Sequence, residues 1–270
     1  MNLPAPPTVL AEAAAAVLGT AGACAKAAAS RAAAARWRAG EIASVGATET
    51  PERPSRPPRP DLRPPREMPK RRAAATRETR VALLHAIAHI ELNAVDLAWD
   101  IVARFAAQEL PRGFFDDWVR VGDDEAKHFL LLADRLGALG AAYGDLPAHD
   151  GLWQAAHETR HDLLARLAIV PLVLEARGLD VTPAMIARFE RLGDAGSARV
   201  LRIIYRDEIG HVAVGRRWFE WLCAQRGLAP VETWKALVKQ HFKGALKPPF
   251  NDEARAAAGF SNAYYGAPNA

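Results

Sequence analysis

Along this 270-residue chain, apolar positions recur at helical spacing, and no stretch keeps the period-two alternation of a half-buried strand. The pattern predicts an all-α protein. Long helices are expected over residues 8–38, with Thr8 as N-cap, and over 76–108, 114–139, 151–177 and 196–226. Pro171 should kink the fourth of these, Gly178 should stop it, and a short capped segment should begin at Thr182-Pro183. A further helix is expected over 230–242, followed by coil or a short helix. Residues 51–72 break the pattern with eight Pro and eight Lys or Arg in 22 positions. Proline lacks the backbone N–H that a helix needs, so this segment reads as an extended arm. The expected organisation is an Ala-rich helical segment (1–50), an arm (51–75), a four-helix bundle (76–228) and a C-terminal helix with tail (229–270).

Acids interrupt the apolar stripes at four places. On a helical wheel, Leu84, Ile87, Ala88, Val95 and Val102 fall within about 60° of Glu91. The same construction surrounds Glu125 with Trp118, Val121, Phe129 and Leu132, Glu175 with Leu164, Ala168 and Leu172, and Glu208 with Leu201, Ile204 and Val212. Ionised carboxylates in a core cost several kcal/mol each unless a partner cancels their charge. Two of the four open a Glu-x-x-His step, Glu125/His128 and Glu208/His211, whose members share one helix face. Glu91 precedes the first step by 34 residues and Glu175 the second by 33, which suggests two related helical hairpins. One Glu from each of two helices and Glu-x-x-His from the other two is the ligand set of dinuclear iron or manganese bundles. Two divalent ions would neutralise four carboxylates, and neutral imidazoles would complete the site.

Spacing alone is weak evidence. Chance gives about half a Glu-x-x-His in a chain of this composition, and the third copy, Glu158/His161, fails on distance. On a continuous helix His161 would lie about 21 Å from Glu175. His157 shares its stripe. His85 and His89 form an i, i+4 pair with Asp96 further along, but the wheel turns this trio away from Glu91, which suits polar contacts better than ligation. Tyr205, one turn before Glu208, is either a radical or proton relay or a core tyrosine with a satisfied hydroxyl.

Composition narrows the picture. Half of the residues are hydrophobic, enough for a substantial core. Cys24 and Cys223 are too few for a disulfide framework and lack metal-site spacing, so a reducing cytoplasm is expected. No run approaches 18 uninterrupted apolar residues, and the Ala-rich start has no basic region before it, so neither a membrane span nor a signal peptide is expected. Residues 1–80 hold 14 basic and 7 acidic side chains. That excess would suit RNA, but the arm has no aromatic residues for stacking, and a solvated or surface-wrapping arm is the simpler reading.

Several segments resemble the ferritin-like superfamily, and more closely a bacterial branch, domain of unknown function 455. They are His85-Ala-Ile-Ala-His89-Ile-Glu91 with Asp96-Leu-Ala, Asp124-Glu125-Ala-Lys-His128-Phe129, Pro171-Leu-Val-Leu-Glu175-Ala-Arg-Gly-Leu-Asp180, Asp207-Glu208-Ile-Gly-His211-Val, the Pro/Arg arm, and Pro249-Phe250-Asn251 with Arg255 and Gly259. The resemblance implies a ferritin-like four-helix bundle with Glu91, Glu125, His128, Glu175, Glu208 and His211 around two metal ions, iron or manganese. Such a di-metal site can react with dioxygen or peroxide, so the expected function is an oxidoreductase, for example a hydroxylase of a small molecule or tRNA, with an electron-donor reductase as partner and a monomer or homodimer as the expected state. The alternatives are a ferroxidase without organic substrate, whose storage cage the arm and tail would obstruct, and a protein in which the metals only hold helices together.

Overall fold

A computed structural model describes residues 7–68 and 76–266. It is all-helical, with no strand among the described residues and two isolated parallel bridges, Val9 to Ser44 and Leu62 to Ala148. Contacts divide the chain into two compact units, Met1–Asp150 and Gly151–Ala270.

In the first unit the expected helix over 8–38 is two helices, α1 (Leu10–Gly19) and α2 (Ala23–Arg38). Thr20 ends α1 in an extended conformation, its hydroxyl donating back to the Ala16 carbonyl (2.9 Å). Thr8 is not the cap. The Leu10 and Ala11 amides donate to the Ser44 and Val45 carbonyls, both at 2.9 Å, so a returning segment satisfies donors that a capping side chain would otherwise take. That return needs Gly46, which has φ +63° and on which a Cβ would sit 2.8 Å from Val9.

Helix α3 (Arg77–Arg104) starts at a Thr76/Thr79 capping box, and α4 (Arg112–Ala138) pairs with it through a short connection. Among the described residues, α3 alone is long and apolar enough to cross a membrane, although its apolar residues are interrupted by polar and charged ones. Most of its apolar window is buried, as in a core helix.

The Pro/Arg arm wraps this unit as far as residue 68. Pro54 and Pro60 are buried, Ser55 N–H donates to the Leu18 carbonyl (2.8 Å), and Arg63 and Ala148 bond through their backbones. Lys26 and Asp96 form a buried ion pair at 2.5 Å, and Lys26 also donates to the Ser55 carbonyl. Arg56 from the arm donates to Asn93 (2.7 Å) and lies 3.5 Å from Asp96. Asp96 therefore belongs to the arm's anchor and not to a trio with the histidines. Residues 69–75 of the expected arm lie outside the described residues.

His85 and His89 are buried and hold the loop after α4. Gly144 N–H donates to His85 Nε2 (2.9 Å), so that nitrogen carries no proton. His89 Nε2 faces the His149 carbonyl (3.2 Å) and must donate, leaving Nδ1 to accept from the Tyr143 hydroxyl (2.9 Å). Both rings are neutral in this arrangement. Burial lowers both pKa values, that of His89 to about 4.

The second unit departs further from the expected pattern. Instead of one helix over 151–177 it has α5 (Gly151–Glu158), a turn, α6 (Leu163–Ile169) and a π-helical turn, Val170–Glu175, which runs into α7 (Ala176–Arg191). The fully buried Arg166 fixes the break by donating to the Ala156 carbonyl (2.6 Å) and the Thr159 hydroxyl (3.0 Å), while Asp162 caps α6. Gly178 does not stop the helix, and Thr182-Pro183 starts no new one. Both lie inside α7. Pro183 offers no N–H to the Leu179 carbonyl, and Asn251 Nδ2 supplies the missing donor at 3.0 Å.

Asp194 caps α8 (Ala195–Gln225), close to the expected 196–226, and α9 (Pro230–His241) lies where expected. The tail folds into α10 (Asp252–Ala257) and α11 (Asn262–Tyr265). Its buried Arg255 makes a bidentate pair with Asp180 of α7 (2.9 and 2.8 Å). The second Asn251 Nδ2 hydrogen goes to the Tyr205 hydroxyl (2.9 Å), and its Oδ1 accepts from Ala254 N–H. Asn251→Asp would place an acceptor against the Leu179 carbonyl. It should lower unfolding free energy by about 1–3 kcal/mol, more than Arg202→Ala on the exposed side of α8, as read by chemical denaturation.

Candidate metal centre

Glu91 lies midway along α3, and Glu125 and His128 one turn apart on α4. All three are buried, Glu125 and His128 completely. Each presents a ligand atom within 4.8 Å of the others'. His128 Nδ1 is 3.2 Å from Glu91 Oε2 and 3.3 Å from Glu125 Oε2. One ring nitrogen thus faces two carboxylate oxygens, all of them removed from bulk water. A cation suits this donor set: hard carboxylate oxygens and an imidazole nitrogen are ligands for iron, manganese or zinc. These buried residues can hold a metal ion.

The spacing of α3 and α4 beside the site is fixed by residues that the sequence pattern did not single out. Gly122 lies three residues before Glu125, and a Cβ there would come within 2.7 Å of Trp99 Nε1 on α3. The Trp99 indole N–H donates to the Ser30 hydroxyl (2.7 Å), which donates to the Gly122 carbonyl (2.7 Å). Trp99 measures the gap between the helices that carry the candidate ligands, and Gly122 in a helical pattern was the available signal.

In the second unit, Glu208 and His211 are buried on α8, with Glu208 Oε1 3.7 Å from His211 Nδ1. Glu175 is half-buried at the end of the π-helical turn. Such turns widen a helix locally and recur at functional sites. This one meets α8 at Gly215, where an added Cβ would lie 2.3 Å from the Pro171 ring, and Trp234 Nε1 donates to the Ala168 carbonyl (3.1 Å) just before it.

Most of the remaining candidates have partners of their own. Glu158 is exposed and paired with Lys243 (3.0 Å), His161 is exposed in the turn after α5, and His157 contacts Arg160. Tyr205 is half-buried, with its hydroxyl accepting from Asn251.

The family model described as protein of unknown function (DUF455) matches residues 19–266. The chain belongs to this family. An uncharacterized protein of Haemophilus influenzae is 44% identical to this DUF455 chain over 202 residues, which are 73% of this chain and 70% of the relative. No solved structure matches. The match spans both units and all six expected ligands.

Gly122→Ala should push α4 away from α3, lower stability by about 1–3 kcal/mol and weaken metal binding at Glu91, Glu125 and His128. Thermal unfolding with and without added metal measures both. Unchanged stability would show that the gap is not set at Gly122.

Proposed function

We propose that this protein is a dinuclear metal oxidoreductase on a ferritin-like four-helix bundle, using iron or, alternatively, manganese. The observation that carries the proposal is the buried Glu91, Glu125 and His128 cluster. Support comes from the same residue types on α8, Glu208 and His211, and from Glu175 on a distorted turn at the matching interval. In this reading Glu91, Glu125, His128, Glu175, Glu208 and His211 would hold the two ions, the four carboxylates matching the charge of two divalent cations. The bound pair would supply electrons to dioxygen or peroxide in two-electron steps.

The chain's own residues set the conditions for that chemistry. Carboxylates can hold one or two ions as charge changes, and the apolar residues around them keep bulk water from screening the charges. The Trp99, Ser30 and Gly122 contact holds the Glu91 helix against the Glu125 helix. Tyr205, one turn before Glu208, remains a candidate for holding a proton beside the site, with Asn251 orienting its hydroxyl. The substrate in this reading is a small molecule, and the partner is an electron-donor reductase in a reducing cytoplasm. Arg53 and Arg56 face Asp150 and Asp96, so RNA is not assigned to that part of the arm.

Protein loaded anaerobically with ferrous iron should bind two ions per chain by elemental analysis and should consume dioxygen. Glu125→Ala and His211→Ala should each lose at least one ion while remaining folded. Absence of metal after loading would overturn the proposal. Two bound ions that are inert to dioxygen and peroxide would favour a structural role, and turnover without any organic substrate would favour a ferroxidase.

A further inference from the structure

Only seven of the 35 basic residues are lysine, and four of them stand at four-residue intervals: Lys235, Lys239, Lys243 and Lys247. No arginine interrupts them, and from residue 230 to 247 the only acid is Glu232. All four are exposed. Lys235 and Lys239 lie on one face of α9, and the other two continue along the segment after it. Lys243 pairs with Glu158 in solvent, a contact of little energetic weight, and among the described residues no acid pairs with Lys235, Lys239 or Lys247. This local excess of charge is unusual in a chain whose net charge is only +4.

Beside Lys235 and Lys239 runs a groove of about 340 Å³ lined by Trp234, Val238, Leu246, Tyr264 and Tyr265. The Tyr264 hydroxyl donates to Glu220 (2.7 Å) and that of Tyr265 to Asp252 (2.8 Å), so both polar tips are engaged and the groove presents mostly carbon. Trp234, Tyr264 and Tyr265 are 1%, 4% and 7% exposed, and Trp234 and Tyr264 pack edge-on at 5.8 Å. Their faces are not open to stack bases, as single-stranded nucleic acid requires. Nor does the ladder offer arginine forks for bidentate phosphate recognition. Hydrated, flexible lysines around an apolar slot suit carboxylates flanking a hydrophobic side chain, steered by long-range charge.

We propose that the lysine ladder and its groove form a docking surface for an acidic segment of another protein that inserts one apolar anchor residue. This inference is independent of the metal reading. The test uses the full-length protein and a fluorescent peptide with glutamates at four-residue intervals around one leucine, followed by fluorescence anisotropy at low and physiological salt. Binding should weaken with salt and fall by at least about tenfold in the Lys235→Glu, Lys239→Glu, Lys243→Glu, Lys247→Glu variant. It should also fall when the peptide's leucine becomes glycine. If the fourfold variant does not fold, Lys235→Gln with Lys239→Gln gives the same test with a smaller loss. Unchanged affinity in a folded variant, tighter binding of a single-stranded RNA or of phosphatidylserine vesicles than of the peptide, or self-association abolished by the reversal would each overturn the proposal.

Discussion

The feature on which most else depends is the placing of Glu91, Glu125 and His128 together inside an apolar helix pair. Each carboxylate there forgoes hydration worth several kcal/mol unless opposite charge is close. Hard carboxylate oxygens beside an imidazole nitrogen are a donor set that can hold a metal ion. The folding of α3 and α4 builds that donor set, and the proposed chemistry starts from it.

The backbone around the ligands is built to hold tolerances. Gly122 lets α4 approach Trp99, and Ser30 of α2 joins the two by hydrogen bonds. The arm is tied down nearby by Lys26, Asp96 and Arg56. In the second unit, Asn251 serves the carbonyl that Pro183 cannot, and Gly215 makes room for Pro171 in the turn that carries Glu175. These devices use ordinary hydrogen bonds and a missing Cβ to place acids where unassisted helix geometry would not.

How much of this was legible depended on range. Burial of Glu91, Glu125, His128, Glu208 and His211 followed from the wheel, because each sits in the middle of an apolar stripe and stripe periodicity is a local property. The all-α class and the span of α8 were legible for the same reason. The breaks were not. Gly178 and Pro183 look like helix ends, yet α7 runs through both because Asn251, some 70 residues away, replaces a donor. The break after Glu158 carries no proline or glycine and is fixed by Arg166 reaching back to Ala156 and Thr159. Asp96 looked like a partner for His85 and His89 until Lys26, 70 residues earlier, supplied its charge. Contacts between distant segments decided each of these.

The most direct measurement of the central claim is an anomalous diffraction map at the iron edge from crystals grown with ferrous iron. The account predicts two peaks, one of them within coordination distance of Glu91, Glu125 and His128. A well-ordered structure with those three side chains hydrogen-bonded only to one another, and no anomalous density beside them, would contradict it.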